Sequence, residues 1–484
     1  MEVREILDTT KDFSDSDRNL IERAFVFAEK AHRGQKRFSG EPYFVHPFNV
    51  ALILSEFKAD AETIAAGLLH DTLEDTEVNF EDLEKEFGQA VAFLVEGVTK
   101  LGKLKYQGAK RHSESLRKLF VAMAKDIRVI MIRLADRLHN IRTLQYVPPE
   151  KQKRIALETI ELYAPLANRL GVWRIKGMLE DASFPYLYPN DYQKVVGLRK
   201  SKGKESIKRL QKVYRVLQKA VLEKGLSEFE IDYRIKYLYS LYTKLLRKNM
   251  NIDEIYDISA LRVVVKTVGE CYQVLGIVHG LWRPISGRLK DYIANPKPNG
   301  YQSIHTTVFI GDGTTAEIQI RTKQMQYEAE YGIASHVNYK EANKKTATNQ
   351  KPKNLDWIQE LINWQQEIEA SEHSKLVKEL QNNFLHDRIF VFTPKGEVVE
   401  LPDQASPIDF AYSIHSDIGN HASGVKINGK MSTLDTSLSN GDMVEILTNK
   451  NSGPRAKWLD FVKTTDAKRH IKNYLHLQQG QEKK

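Results

Sequence analysis

Four ionisable residues crowd one turn of an otherwise apolar stretch, Ala65-Ala66-Gly67-Leu68-Leu69-His70-Asp71-Thr72-Leu73-Glu74-Asp75. At helical spacing Glu74 falls beside His70, and Asp75 beside Asp71. Burying such groups is costly unless something needs them. A divalent metal does: imidazole and carboxylate are its ligands, and a nearby carboxylate can handle the proton of an attacking water. Two distant segments supply further donors, Tyr43-Phe44-Val45-His46-Pro47 and Leu134-Ala135-Asp136-Arg137-Leu138-His139-Asn140. Asp136 and Asn140 are again one turn apart. The candidate ligands are therefore His46, His70, Asp71 and Asp136, a donor set that suits Mn²⁺, Fe²⁺ or Zn²⁺. A solvent-facing acidic helix with a capping His would account for the His-Asp pair alone, but not for the second Leu-Ala-Asp segment.

A second cluster is basic and aromatic. Gly287-Arg288-Leu289-Lys290-Asp291-Tyr292-Ile293 leads into Pro296-Lys297-Pro298-Asn299-Gly300-Tyr301-Gln302-Ser303-Ile304-His305. Cations there can neutralise phosphates while Tyr301 stacks on a base. Upstream, Arg234 and Lys236 alternate as on a strand, so both can face one ligand. Ser240 and Lys244 lie one helical turn apart. Two carboxylates stand among these cations, Asp257 and Glu317, and both could hold Mg²⁺ shared with phosphates. Metal and cations together would stabilise charge on a transferring phosphoryl group. Any one of these residues alone reads as a solvated surface charge; the rival reading of the whole string is an RNA-binding patch.

The elements that must position these groups follow from periodicity. Residues 16 to about 190 read as almost entirely helical, with Ser16 as a cap and Leu and Ala recurring at helical spacing through 61–75, 83–96, 113–146 and 151–170. A basic helical stretch spans 201–224. The period then changes: 260–265 is a β-branched run, and 306–310 with 316–320 around Gly311-Asp312-Gly313 reads as a hairpin. Helical segments at 238–248, 268–281 and 323–336 make this an α+β domain. Polar residues 341–354 read as a linker, followed by a helix over about 355–382. A compact β-rich unit begins at Ile389, with a helix starting near Ser406-Pro407, and the polar end 478–484 is expected to fray.

Composition bounds the rest. A length of 484 residues suggests about three domains. With 41% hydrophobic and 28% charged residues, a mostly disordered chain is excluded. The excess of 72 Lys and Arg over 63 Asp and Glu, +9, fits polyanionic ligands such as nucleotides or RNA. The single cysteine, Cys271, excludes an intrachain disulfide and a Cys-rich zinc site. No apolar signal core opens the chain, and no run approaches the ~18 apolar residues of a spanning helix. A soluble cytoplasmic protein with no membrane partner is the expectation.

The order His, His-Asp, Asp on helices resembles the HD metal-dependent phosphohydrolases. More closely, "RFSGEPYFVHP", "LLHDTLEDT", "DIRVIMIRLADRLHNIRTL" and "YAPLANRLG" are similar to the hydrolase half of the RelA/SpoT family, which makes and degrades the alarmones ppGpp and pppGpp of the stringent response. The resemblance implies that His46, His70, Asp71 and Asp136 hold Mn²⁺, that Glu74 and Asp75 position or activate the attacking water, and that Arg37 and Asn140 contact the nucleotide. "YDISALRVVV", "GRLKDYIANPKPNGYQSIHTT" and "AEIQIRTKQMQYEAEYGIASH" resemble the family's synthetase domain, which transfers pyrophosphate from ATP to the 3′-hydroxyl of GDP or GTP. That likeness implies ATP contacts from Arg234, Lys236, Ser240, Lys244 and Arg262. It implies Mg²⁺ on Asp257 and Glu317, with Glu317 also a base for the hydroxyl. GDP or GTP would meet Arg288, Lys290, Lys297, Asn299, Tyr301, Gln302 and His305. Residues 387–449 resemble a TGS domain, which in long family members contacts tRNA on the ribosome, with His415 at the expected contact.

The fold expected is thus multidomain: an all-α HD-type hydrolase domain (1–195), an α+β nucleotidyltransferase-like synthetase domain (196–340), a linker and helix (341–384), a small β-grasp TGS domain (385–450) and a tail (451–484). One departure stands out. The family usually reads Gly-Arg-Pro-Lys-His where this chain has Tyr233-Arg234-Ile235-Lys236-Tyr237. Both cations survive, but the Gly, Pro and His do not, which puts the family's shape for the ATP pocket in question. Two other functions therefore stay open: a ppGpp hydrolase with a vestigial synthetase domain, and a tRNA or ribosome sensor whose nucleotide sites only bind.

Overall fold

The computed structural model of the chain describes residues 1–102, 125–252, 255, 258–297, 299–311, 314–332, 388–439 and 441–481. Asp257, the 341–354 linker and the 355–382 helix lie outside the described residues. Chain contacts separate two units; of the described residues, one holds those up to 332 and the other those from 388.

In the first unit the helix starts are set by side chains. Ser14, not Ser16, caps Asp15–Ala31 in a reciprocal box with Asp17, and Asn79 with Asp82 does the same for Phe80–Phe87. Asp60 caps Ala61–Leu69. The apolar helices Val45–Glu56 and Ala61–Leu69 pack closely because of Gly67, where a Cβ would come 2.5 Å from Leu54 Cδ1. Arg128–Arg142 packs against both. Pro165 has no N–H to donate one turn back, and the turn before it, Thr159–Tyr163, is π-helical.

The helix Trp173–Leu187 is shared by the helical and mixed-sheet parts of this unit. Asp181 accepts from the backbone N–H of Leu238 (3.1 Å) and Tyr239 (2.9 Å), capping Leu238–Leu246 from outside. The Tyr237 ring packs against Gly177, where a Cβ would sit 2.2 Å from it.

The sheet runs β1 (Glu230–Ile235), β2 (Ser259–Val265), β5 (Thr315–Thr322), β4 (Ile304–Phe309), β3 (Lys290–Asp291). Only β2 and β5 are parallel. Leu261, Val263, Ile318, Ile320 and Ile304 fill one face, under the helices Pro189–Glu223 and Val268–Leu281. Period-two alternation leaves the other face polar. Across it the register aligns Asp232, Arg262, Gln319, His305 and Lys290 in one rung, and Arg234, Ala260, Glu317 and Thr307 in the next. The β4–β5 hairpin expected from the sequence is present.

The second unit is a small β-grasp arrangement. β6 (Arg388–Phe392) pairs with β7 (Val398–Pro402), and β10 (Val444–Thr448), β8 (Ala422–Ile427) and β9 (Lys430–Ser432) form a second sheet around the helix Pro407–Ile414. The region from 451 is not a tail. Trp458, Val462, Ala467 and Ile471 join Ile408 and Tyr412 in a buried cluster. The buried Asp409 carboxylate accepts from the N–H of Lys463 (2.9 Å) and Thr464 (2.7 Å), which fixes the start of Thr465–Gln481. Polar composition hid these few apolar anchors.

Gly177→Val should lower urea stability by at least about 1–3 kcal/mol, because the branched side chain must displace the Tyr237 ring. Gly197→Ala, with no described heavy atom within 4 Å of the new methyl, should not. Equilibrium unfolding of the two variants checks this.

Candidate functional site

His70 and Asp71 sit at a join between two helices, Ala61–Leu69 and Thr72–Asp75, rather than inside one. His70 Nδ1 donates to the Gly67 carbonyl (2.8 Å) and Thr72 Oγ1 to that of Leu69 (2.7 Å), so side chains take acceptors a continuing backbone would use. Donation through Nδ1 leaves a lone pair on His70 Nε2. That atom is buried without a hydrogen-bond partner among the described residues, 3.2 Å from Asp71 Oδ1. His46, in the first turn of Val45–Glu56, brings Nε2 to 3.3 Å from Asp136 Oδ1 and 3.5 Å from Asp71 Oδ2. Ligand atoms of His46, His70 and Asp136 all lie within 4.8 Å of one another, and the three residues are buried.

Burial alone would raise the Asp136 pKa; Arg133, then His46 and His70, hold it far below the usual carboxylate range. An orphaned imidazole nitrogen facing carboxylate oxygens is what a divalent cation satisfies, so these residues fit a metal. The Tyr43 hydroxyl lies 2.9 Å from Asp71 Oδ2 and 2.7 Å from Asp75 Oδ2. Burial, then Asp71, push its pKa far up, so it stays a donor and ties the two carboxylates together. Glu74 sits half-buried on the same short helix.

Beside this cluster is a cavity of about 230 Å³, lined by Arg37, Arg133, Asp136, Arg137 and Asn140 among others. Arg37 donates to Asn140 Oδ1 (3.2 Å) and His139 Nδ1 (3.0 Å). Arg137 is braced by Glu158 (3.3 Å) and by the Tyr163 ring, 4.1 Å from its guanidinium. The structure thus gathers Arg37, Asn140, Asp75 and the four candidate ligands. Tyr43, Arg133, Arg137 and His139 were missed from the sequence. Their signal was spacing: the last three fall within one turn of Asp136 on the same helix.

A second cavity, of about 240 Å³, opens on the polar face of the sheet. Arg234, Arg262 and Arg321 line it, together with Trp173 and Arg174 from the shared helix. Arg262 is held by Asp232, with its Nε 2.8 Å from Oδ1. Lys236, Ser240 and Lys244 do not line this cavity; Lys236 follows the end of β1, and the other two lie on Leu238–Leu246. The departures Tyr233, Ile235 and Tyr237 all line it. Tyr233 stacks on Tyr214, with centroids 5.9 Å apart, and Tyr237 is seated on Gly177.

Tyr301 does not offer a free stacking face. It is 5% exposed, with Lys297 Nζ 5.1 Å and the Arg321 guanidinium 5.0 Å from its ring centre, and Trp173 edge-on at 5.2 Å. Arg321 Nη2 donates to its hydroxyl (2.7 Å), which also meets His305 Nε2 (2.8 Å). Asn299 Nδ2 donates to the Asn168 carbonyl (3.3 Å), tying the loop to the helical part. Gln302 Nε2 donates to the Ile293 carbonyl (3.1 Å). Glu317 Oε1 accepts from Gln319 (2.8 Å) and lies 3.4 Å from His305 Nδ1. Arg288 and Lys290 are exposed. In the second unit, His415 Nδ1 accepts from the Asp417 N–H (3.2 Å), capping Ser416–Asn420. Among the described residues no helix is long and apolar enough to cross a membrane.

A helical centre of this kind followed by a basic mixed sheet defines a class: an HD-type helical domain joined to a nucleotide-handling α+β domain. Comparison with known families agrees. The chain matches an HD domain over residues 24–173, the region found in RelA/SpoT proteins over 233–344, and a TGS domain over 389–448. It is 48% identical over 460 residues to a guanosine-3′,5′-bis(diphosphate) 3′-pyrophosphohydrolase of Aquifex aeolicus, covering 95% of this chain and 65% of the relative. It is 44% identical over 469 residues to a GTP pyrophosphokinase of Myxococcus xanthus, covering 96% and 61%. To the bifunctional (p)ppGpp synthase/hydrolase SpoT of Escherichia coli it is 43% identical over 456 residues, covering 94% and 64%. The chain thus carries an HD domain, the region found in RelA/SpoT proteins and a TGS domain, and it spans less than two thirds of the length of these relatives.

Burial would raise the Tyr301 phenol, but Arg321, His305 and Arg234 bring its pKa down to about 8. A phenolate absorbance titration should therefore show one tyrosine ionising near pH 8. Tyr301→Phe should remove that step.

Proposed function

We propose that this chain is a two-site alarmone enzyme of the stringent response. The helical part hydrolyses the 3′-pyrophosphate of ppGpp or pppGpp with Mn²⁺, and the mixed-sheet part makes these nucleotides from ATP and GDP or GTP with Mg²⁺. The observation that carries the reading is the buried His46, His70 and Asp136 group, with its orphaned His70 Nε2, opening beside an arginine-lined cavity.

In hydrolysis, His46, His70, Asp71 and Asp136 would hold the metal, which would polarise the phosphoryl group and acidify a water. Asp75, fixed by Tyr43, and Glu74 take the water's proton as its oxygen attacks the phosphorus bonded to the ribose 3′-oxygen; that P–O bond breaks, the departing 3′-oxygen of GDP or GTP takes up a proton, and pyrophosphate is released. Arg37 and Asn140 hold the nucleotide, and Arg133 and Arg137 add positive charge behind it. In synthesis, Arg234 and Arg262, with Lys236, Ser240 and Lys244, neutralise ATP. Asp257 and Glu317 are the candidate Mg²⁺ ligands. Glu317 takes the 3′-hydroxyl proton as that oxygen attacks the β-phosphorus of ATP and AMP leaves. Arg288, Lys290, Lys297, Asn299, Gln302 and His305 surround the guanine nucleotide, with Tyr301 beneath its base. Through its TGS domain and His415, the chain would engage tRNA on the ribosome.

An Asp71→Ala variant tests the two activities together. It should lose Mn²⁺-dependent ppGpp hydrolysis by more than about a thousandfold. With ATP, GDP and Mg²⁺ it should accumulate ppGpp and AMP, separable by ion exchange. Hydrolysis by the wild type with no synthesis by the variant would favour a hydrolase with a vestigial partner. Turnover absent at both sites, with tRNA binding intact, would favour a sensor.

The sealed Tyr301 favours a further reading: the two sites are open in turn. Trp173 and Asn168 hold the guanine loop shut from the helical part, so synthesis requires this contact to part. Trp173→Ala should lower the apparent KM for GDP about 3–10-fold by enlarging the competent fraction, read in steady-state synthesis assays.

A further inference from the structure

The two candidate metal-binding imidazoles are oriented in different ways. His70 is fixed by a backbone carbonyl, that of Gly67. Among the described residues His46 Nδ1 meets no backbone carbonyl; it lies 2.8 Å from Nδ1 of a third histidine, His139. Of two facing ring nitrogens, one must carry the proton and the other accept it. Arg37 decides which. Its Nη1 is 3.0 Å from the same His139 Nδ1 and can only donate. His139 Nδ1 is therefore the acceptor, and His139 carries its proton on Nε2. His46 must then be protonated on Nδ1, which leaves a lone pair on Nε2, the atom aimed at Asp71 and Asp136.

We infer that His139 is a positioning residue that fixes the tautomer and ring orientation of His46 for the metal, with Arg37 holding His139 as the acceptor. Such outer partners of a ligating imidazole are normally carboxylates, carbonyls or water. Here the partner is an imidazole whose direction is set by an arginine of the neighbouring cavity. The chain Arg37, His139, His46 thus joins the wall of the nucleotide cavity to a metal ligand. The inference rests on the reading of this cluster as a metal centre.

The test is Mn²⁺ binding to the whole chain, followed by the electron paramagnetic resonance of the free ion. His139→Leu removes the acceptor. His139→Asn keeps an acceptor oxygen near the place of Nδ1. The leucine variant should bind Mn²⁺ about 10–100-fold more weakly, and the asparagine variant within about threefold of wild type. Wild-type affinity in a folded leucine variant overturns the inference, as does equal weakening in both variants, which would make the role one of packing. Failure of the wild type to bind Mn²⁺ overturns the metal reading itself. Should the leucine variant not fold, a long-range ¹⁵N–¹H spectrum of histidine-labelled wild type decides. His46 protonated on Nδ1 and His139 on Nε2 is the expected result; the reverse assignment sinks the idea.

Discussion

An ionised carboxylate in an apolar core has to be neutralised where it stands, and Asp136 imposes that condition on the helical part. The Arg128–Arg142 helix answers it locally. Arg133 Nη1 lies 2.9 Å from Asp136 Oδ2, and His46 approaches the other oxygen. Removing one partner from such a buried pair costs about 3–5 kcal/mol, so these groups stand or fall together. Each added charge then calls for its own answer. Arg137 needs Glu158 and Tyr163, and these lie at either end of the π-helical turn that Pro165 forces. The wide turn and the buried carboxylate are in this sense one arrangement.

In the mixed sheet, registration rather than neutralisation does the assembling. β2 and β5 come from segments some fifty residues apart, yet their parallel pairing sets Arg262 beside Gln319, and Ala260 beside Glu317. The antiparallel neighbours extend the first rung to Asp232 and His305 and the second to Arg234 and Thr307. A slip of one residue would turn this face into the apolar one. Leu261, Val263, Ile318 and Ile320 prevent the slip by filling the opposite side.

Much of this was legible in the residues, and the failures have physical causes. His46, His70, Asp71 and Asp136 were visible because ionisable groups interrupt strongly apolar helical periods. Period change alone marked β2 and the β4–β5 hairpin. The break at His70–Asp71 was not visible, since it depends on side chains capturing the carbonyls of Gly67 and Leu69. Arg234 and Lys236 were read as neighbours on a strand, but β1 ends between them at Ile235. Tyr301 read as an open platform because no local pattern shows that Trp173, over a hundred residues away, closes on it. The fold of 451–481 was hidden because four apolar anchors in a polar stretch carry it.

Where the helical and mixed-sheet parts meet, two glycines touch. A Cβ on Gly332 would lie 2.6 Å from the Gly171 carbonyl carbon and 2.8 Å from both Leu170 O and Val172 N, and Gly332 holds a φ of +54°. All three obstacles are main-chain atoms. An ordinary steric defect in a core can be relieved by trimming the neighbouring side chain, but here there is nothing to trim. In genetic terms, trimming a side chain at any of these three described contacts cannot act as a second-site suppressor of the loss of this glycine.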